Sequence, residues 1–275
     1  MSFRISTNVA SLAAQRNLGN SQRATEKALL ALSSGSRINR ASDDAAGFAI
    51  AESLRGQLSG VKQAKKNADT ATSFIQTAEG GLSEQNNILI RLRELAVYSA
   101  SDTVGDEERG YLNMEFQQLS AEFDRIARST RYGNKQLLTG NGDEHTFQIG
   151  AYRGEENEVS FKLDANTTAS EVGISGLSID DQDSATDVLE DLDEGLQKVA
   201  SARASFGAMQ SRLQHASDHL AVQIENVSAA RSQIVDADIA EEAANLAQNQ
   251  IIQDAGIAVL AQANVNTSRV ARLIQ

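Results

Sequence analysis

"LRGQLSGVKQAKKNADTATSFIQTAEGGLSEQNNILIRLRELA" (residues 54–96) places an apolar residue at every seventh position: Leu54, Val61, Ala68, Ile75, Leu82, Leu89 and Ala96. A second series three residues further on, Ala64, Ala71, Ala78 and Leu92, widens this into the stripe of a long helix packed in coiled-coil fashion. The same spacing recurs far along the chain, at Leu192, Val199, Phe206, Leu213, Leu220, Val227 and Ile234. Each series spans 42 residue steps, which is ~63 Å at the helical rise. Equal reach predicts two helices lying alongside each other over their full extent.

Between them, "GDEERGYLNMEFQQLSAEFDRIARSTRYGN" (105–134) sets Leu112, Phe116, Leu119, Phe123 and Ile126 at alternating steps of four and three, predicting a shorter third helix. Its start fits the turn at Asp102, Gly105 and Asp106 with carboxylates in the first turn, and its end fits "RYGN". In "HTFQIGAYRGEENEVSFKL" (145–163), Phe147 and Ile149 and then Val159, Phe161 and Leu163 alternate with polar neighbours around "RGEEN", predicting a β-hairpin. Residues 164–186 read as loop or weak structure, and "DVLEDLDEGL" (187–196) starts the last long helix with carboxylates at its positive end. The expected fold is therefore mainly α: a long antiparallel coiled-coil rod of three to four long helices with a small β-hairpin region.

Composition supports thin helical packing. Proline, cysteine and tryptophan are absent and aromatics make up 4% of the 275 residues, so no residue forces a helix break and the core must come from Ala, Leu, Ile and Val. No disulfide, thiolate nucleophile or thiolate metal site can form. The net charge of −12 is concentrated: residues 140–200 hold fifteen acidic against three basic side chains, while residues 1–45 hold six basic against three acidic. This balance argues against nucleic acid as a partner, which would call for a basic stripe. The N-terminal "MSFRISTNVASLAAQRNL" lacks the apolar core of a secretory signal, and no window approaches the ~18 apolar residues of a membrane span. No membrane insertion is expected, and export would need another route.

Both ends differ from the middle. From Ala243 to Ser268 the only charge is Asp254, amid Ala, Asn and Gln with spaced Leu246, Ile251, Ile252, Ile257, Val259, Leu260 and Val265, and Leu273 follows. The opening stretch is similar, with Ile5, Val9, Leu12, Leu18, Leu29, Leu30 and Leu32 among Asn, Ser and Gln. A solitary helix as uncharged as the stretch from Ala243 to Ser268 would make a poor soluble surface. Both ends are expected to be weakly structured in a free monomer and to gain a buried environment against other copies of the chain.

Candidate chemistry is sparse. His215 and His219 are four apart, the spacing that puts two imidazoles on one helix face, but no H-E-x-x-H pattern exists and His145 lies in the hairpin. The cluster Asp180, Asp181, Asp183 and Asp187 lacks the register and closing glutamate of a calcium loop. No nucleophile elbow, phosphate loop or dinucleotide fingerprint occurs, so neither catalysis nor a metal or other cofactor is expected.

One stretch interrupts the helices: "LSSGSRINRASDDAAG" (32–47), where Gly35 and Gly47 relieve steric limits at a bend and Arg37, Asn39, Arg40, Asp43 and Asp44 supply polar groups, the arginines and aspartates being expected to pair. It resembles the N-terminal signature of bacterial flagellins, as does "RLRELAVYSA" (91–100), and "QIIQDAGIAVLAQAN" (250–264) resembles their C-terminal signature. The likeness covers residues 1 to about 140 and about 188 to 275. It implies a structural subunit that polymerises into the swimming filament of a bacterial flagellum outside the cell, and not an enzyme. Residues 1–43 with 236–275 would form the inner tube (D0-like) and residues 44–235 the surrounding rod (D1-like), with hairpin and acidic loop at 140–187 in place of large outer domains. The inner-tube contacts would come from Ile5, Val9, Leu12, Leu29, Leu32, Leu246, Ile251, Ile252, Ile257, Val259, Leu260, Val265 and Leu273. Besides the chain itself, the resemblance implies as partners an export chaperone, the filament cap, hook-junction proteins and, through Arg91, Leu95 and Glu115, a host flagellin receptor; export would run unfolded through the flagellar type III apparatus. Two rival readings fit the heptads: a hook–filament junction protein of the same superfamily, and a signalling helical hairpin of chemoreceptor type, which would need a sensor domain or membrane span.

Overall fold

The computed structural model describes residues 8–140 and 142–273, with side chains described as far as residue 265. The chain forms two compact units, one of residues Leu58–Glu225 and one joining Met1–Gln57 to Asn226–Gln275. Its helices are α1 (Val9–Ser34), α2 (Ala45–Ser99), α3 (Asp106–Ser129), the short α4 (Ala169–Val172), α5 (Gln182–Val235) and α6 (Ile239–Leu273). Two small antiparallel sheets pair β1 (Arg131–Tyr132) with β2 (Lys135–Gln136) and β3 (Glu144–Gln148) with β4 (Glu158–Lys162).

In the unit of residues 58–225 the heptad positions are the core. Val61, Ala68, Ile75, Leu82, Leu89 and Ala96 of α2, and Leu192, Val199, Phe206 and Leu213 of α5, are sealed from solvent. The two helices run antiparallel, because their partners descend in number as α2 ascends: Asp69 accepts from the Ser217 hydroxyl at 2.9 Å, Glu79 faces Arg203 at 3.9 Å, and Asp193 takes Arg93 Nε at 2.7 Å. Phe116 and Phe123 of α3 close the third side, fully buried. Burying a Phe, Leu or Ile contributes roughly 1.5–3 kcal/mol, so a thin core is sustained by repetition along its length.

Local chemistry sets where α3 begins. Gly105 is its N-cap, and the Glu108 carboxylate reaches back to accept the Gly105 N–H at 2.6 Å, while Asp106, Glu107 and Glu108 occupy the positive first turn. Arg109, which the spacing pattern does not single out, is buried beneath this corner. It donates to the carbonyls of Ser99 at 2.9 Å and Ser101 at 3.0 Å and to Asp106 at 3.0 Å, stitching the end of α2 to the start of α3. After Ser129 the "RYGN" stretch does more than stop the helix. It folds as the β1–β2 hairpin, with Gly133 (φ 59°) first in a two-residue link.

The larger hairpin follows the predicted alternation, with Phe147 opposite Val159 and His145 opposite Phe161. Phe161 lies against the ring of Phe206, centroids 5.2 Å apart, and Phe74 of α2 meets His145 and Phe147 edge-on. His145 is itself buried, with Nδ1 3.0 Å from Lys135 Nζ; burial and then the Lys135 charge hold its pKa below the ordinary imidazole value.

Residues 164–186 are not a bare loop. Thr168 leads into α4, Gly173 caps it in the left-handed region (φ 95°), and Val172, Ile174 and Ile179 are buried in the core. Gln85 explains why this segment settles there. Fully buried, it donates to the carbonyls of Phe123 (3.2 Å) and Thr167 (3.0 Å) and accepts from the Thr167 hydroxyl at 2.8 Å, so a polar group that would otherwise be costly to bury is satisfied by the segment itself. The aspartate cluster also has a plain role: Asp181 accepts the Ser184 N–H at 2.9 Å and caps α5, which therefore begins at Gln182 rather than near Asp187.

Candidate assembly surface and bend

In the other unit α1 and α6 pair antiparallel. Asn8 donates to the Ala263 carbonyl at 3.1 Å, Ser21 to the Asn249 carbonyl at 2.9 Å, and Gln253 to the Thr25 hydroxyl at 3.1 Å. Among the covered positions of α1 are Ser11, Ala14, Leu18, Ser21, Thr25, Ala28 and Leu32, flanked by Ala13, Gly19, Ala24 and the buried Ala31, and among those of α6 are Glu242, Leu246, Asn249, Gln253, Gly256, Leu260 and Ala263, with Asn245 beside them. Both follow the alternating three-and-four step of a coiled-coil seam, but the seam is built mainly of Ala, Ser, Thr, Asn, Gln and Gly. The Leu18 side chain packs over Gly256, its Cδ1 3.5 Å from where a Cβ would stand, and Ser21 reaches the Asn249 carbonyl directly, so the two helices lie close.

The consequence is that most large apolar side chains of these helices point away from the seam. Val9, Leu12, Leu29, Leu30, Ile251, Ile252, Ile257, Val259 and Val265 are exposed, Ile251 to 69% and Val9 to 65%. Leu32, Leu246 and Leu260, expected among the inner-tube contacts, are half-buried within the seam. Ile5 lies outside the described residues, as does the side chain of Leu273. Exposed large apolar side chains in this number on one helix pair are characteristic of a surface that is covered in the working assembly.

The bend is organised by backbone capture. Gly35 ends α1 in the left-handed conformation (φ 68°), its N–H donating to the Ala31 carbonyl. Gly47 is needed for space: a Cβ there would stand 2.5 Å from Asp44 Oδ2 and 2.8 Å from Ile38 Cδ1. Asp44 caps α2 by accepting the Gly47 N–H at 2.9 Å. Asp43 accepts the N–H groups of Arg40 (2.9 Å) and Asn39 (3.2 Å), and these bonds, Arg40's foremost, hold its carboxyl below the usual range. The expected arginine–aspartate pairs do not form. Arg37 donates from its side chain to the Ile234 carbonyl (2.8 Å) and from its backbone to the Val235 carbonyl (2.7 Å), Asn39 donates to Ser34 Oγ and the Ser36 carbonyl, and the ion partner of Asp43 is Lys27 at 4.0 Å. The reason is that a chain leaving one helix and entering another carries orphan backbone groups, and these claim the carboxylates first. Gly35→Val should cost about 1–2 kcal/mol, the penalty for an L-residue in the left-handed region; a fall in the thermal midpoint relative to Gly19→Val, at a helical site with no crowding, would show it.

The family models for the "Bacterial flagellin N-terminal helical region" and "Bacterial flagellin C-terminal helical region" match residues 5–143 and 189–274. The chain belongs to the bacterial flagellin family. It is 40% identical to the flagellin of Halalkalibacterium halodurans across 98% of this chain and 99% of that one. It is 38% identical to the "Flagellar filament 33 kDa core protein" of Treponema phagedenis with the same coverage. The crystal structure of Bacillus cereus flagellin superposes with a TM-score of 0.51 at 27% identity, covering 60% of this chain and 94% of that one. Relatives of matching length agree with a short flagellin that has a hairpin and a packed segment where large outer domains could stand.

Of the three residues that the resemblance assigns to receptor recognition, this flagellin brings two together at the surface. Arg91 Nη2 lies 2.8 Å from Glu115 Oε1, with Arg91 Nη1 3.1 Å from Glu94, whereas Leu95 is 3% exposed and packs in the core. Leu95 belongs to the core cluster of this unit, beside Leu92 and Ala96. His215 and His219 are both exposed on α5, and among the described residues no three His, Cys, Asp or Glu side chains gather as a metal site. Among those residues no helix is long and apolar enough to cross a membrane.

Proposed function

We propose that this flagellin is the structural subunit of a bacterial flagellar filament, working outside the cell and joining copies of itself through its two terminal helices. The observation that carries this is the mismatch within the α1–α6 pair: its internal seam uses small polar residues, while Val9, Leu12, Leu29, Ile251, Ile252, Ile257, Val259 and Val265 remain uncovered. Covering even four of them would contribute on the order of 6–12 kcal/mol per subunit before association costs, enough to support a polymer. Ile5 and Leu273 complete the same proposed contact. On this reading residues 1–43 with 236–275 line the inner tube and 44–235 form the surrounding rod, the bend at 35–47 setting the angle between successive helices. Seeding purified chain with sheared filament fragments and imaging by negative-stain electron microscopy tests it; discrete particles instead of long uniform tubes would refute it.

The finer partners rest on family likeness. An export chaperone, filament cap and hook-junction proteins would be needed by a subunit that leaves the cell unfolded through the flagellar type III route, a passage eased by the absence of cysteine and proline. A host flagellin receptor would read the exposed Arg91–Glu115 pair, with Leu95 holding α2 in place beneath it. Arg91→Ala should lower receptor signalling by the monomer about tenfold or more, in line with loss of a charge-assisted contact at an interface. Signalling equal to that of the unaltered chain would remove the receptor from the account.

A further inference from the structure

One carboxylate stands alone on the outward face of α6. Asp254 is exposed and is the only charge between Ala243 and Ser268. Its neighbours three positions before and after, on the same face of the helix, are Ile251 and Ile257, 69% and 56% exposed. On α1 the matching feature is Arg16. It is exposed and lies two positions from each of the seam residues Ala14 and Leu18, which at 3.6 residues per turn puts it on the back of the helix. Leu12, itself exposed, stands one turn before it. Among the described residues, neither the Arg16 nor the Asp254 side chain has a hydrogen bond or an ion pair. The other charges of α1 are engaged: Arg23 donates to the Gly19 carbonyl at 3.3 Å and to Asn20 Oδ1 at 2.7 Å, Glu26 accepts from Gln22 at 3.5 Å, and Lys27 faces Asp43 at 4.0 Å.

In a single chain water solvates both groups. Once other copies cover the terminal helices, Asp254 loses water together with the isoleucines around it, and a carboxylate desolvated without a cation opposes the burial that drives the contact. Arg16 meets the same difficulty beside Leu12. Each group supplies what the other lacks, and a guanidinium suits a carboxylate because its planar fork can donate to both oxygens.

We infer that Arg16 of one copy pairs with Asp254 of a second copy, an inference that rests on the assembly proposed above and names one of its contacts. The pairing is heterologous: the two groups lie on the outer sides of different helices, so every copy offers one of each, and a contact of that kind repeats into a ring or an open helical filament rather than stopping at a dimer. Copies that point the same way along a filament set α1 of one against α6 of the next in the antiparallel sense seen within the chain. In that sense Leu12, one turn before Arg16, falls beside Ile257, one turn after Asp254, so the ion pair lies next to an apolar contact. The apolar contact supplies affinity, and the ion pair fixes the register in which two otherwise repetitive helices meet.

The test uses the full chain seeded with sheared filament fragments, the critical concentration being read by sedimentation. Arg16→Asp and Asp254→Arg should each raise it about tenfold or more, since like charges would then face each other. The chain carrying both reversals should return to within about threefold of the unaltered one, as a double-mutant cycle requires of two groups in contact. Circular dichroism of the monomers should be unchanged, because both side chains are exposed there. If a reversal does disturb the monomer, Arg16→Gln and Asp254→Asn decide: each should raise the critical concentration, and the two together should cost no more than one alone. Unchanged critical concentrations in the single variants, a double reversal no better than the worse single one, or rescue of Asp254→Arg by Arg23→Asp and not by Arg16→Asp overturns the pair while leaving the assembly intact. An unaltered chain that forms no filaments under seeding overturns the assembly, and the pair with it.

Discussion

Deletion of residues 241–275 leaves a chain that stays monomeric under seeding and forms no filaments. The cut falls two residues after the first residue of α6, at Ile239, so it removes Ile251, Ile252, Ile257, Val259 and Val265 from the assembly surface. It also removes the partner of α1, stripping cover from Ala14, Ser21 and Ala28. A helix of 26 residues with no strongly amphipathic face is marginal on its own, so α1 should melt as well. The unit of residues 58–225 should survive, since both of its apolar clusters draw only on residues between Val61 and Ile224. Circular dichroism of the truncated chain should therefore show helix loss limited to the terminal pair, with a cooperative transition retained. Filaments grown from this truncation would show that the polymer is held by the other unit.

The second large effect is expected from Leu12→Asp combined with Ile257→Asp. Both residues are 56% exposed in the single chain and stand off the α1–α6 seam, so the stability of the monomer should change by no more than about 0.5 kcal/mol per site. In the polymer each change forfeits roughly 1.5–3 kcal/mol of apolar burial and adds a carboxylate that must be desolvated. The critical concentration for polymerisation should rise about a hundredfold or more, read by sedimentation of seeded samples. An unchanged critical concentration with normal filaments would place these two positions on the outer surface of the filament. The pair complements the truncation, which removes an element: here the fold is intact and only the outward chemistry differs.

The difference between the two units decides how far each could be read in advance. In the unit of residues 58–225, period and burial agree almost residue for residue, because a side chain at every seventh position of a straight helix has one direction to face and a large apolar residue there has one reason to be present. The hairpin was legible for the same reason at period two. The segment 164–186 was not. Its core residues Val172, Ile174 and Ile179 follow no period, and its position depends on Gln85 from a helix some eighty residues earlier, a polar residue whose burial is acceptable only because Thr167 and Phe123 meet it. Arg109 was missed likewise, since its partners are carbonyls, which leave no mark in a sequence.

In the terminal pair the sequence alone determined that both ends carry spaced apolar residues in need of cover, the C-terminal one almost without charge, and by likeness to a family it determined what kind of assembly supplies that cover. Only the tertiary structure decided which residues remain for it. Leu32, Leu246 and Leu260 go to the seam while Leu12, Ile251 and Ile257 do not, because small residues at Ala14, Ser21 and Ala28 occupy the seam, and that choice of seam sends the bulkier side chains outward. At the bend, composition announced a turn with paired charges; the fold gave the carboxylates of Asp43 and Asp44 to backbone N–H groups, since those donors are fixed in place at a helix boundary while an arginine side chain can satisfy itself on carbonyls or in water.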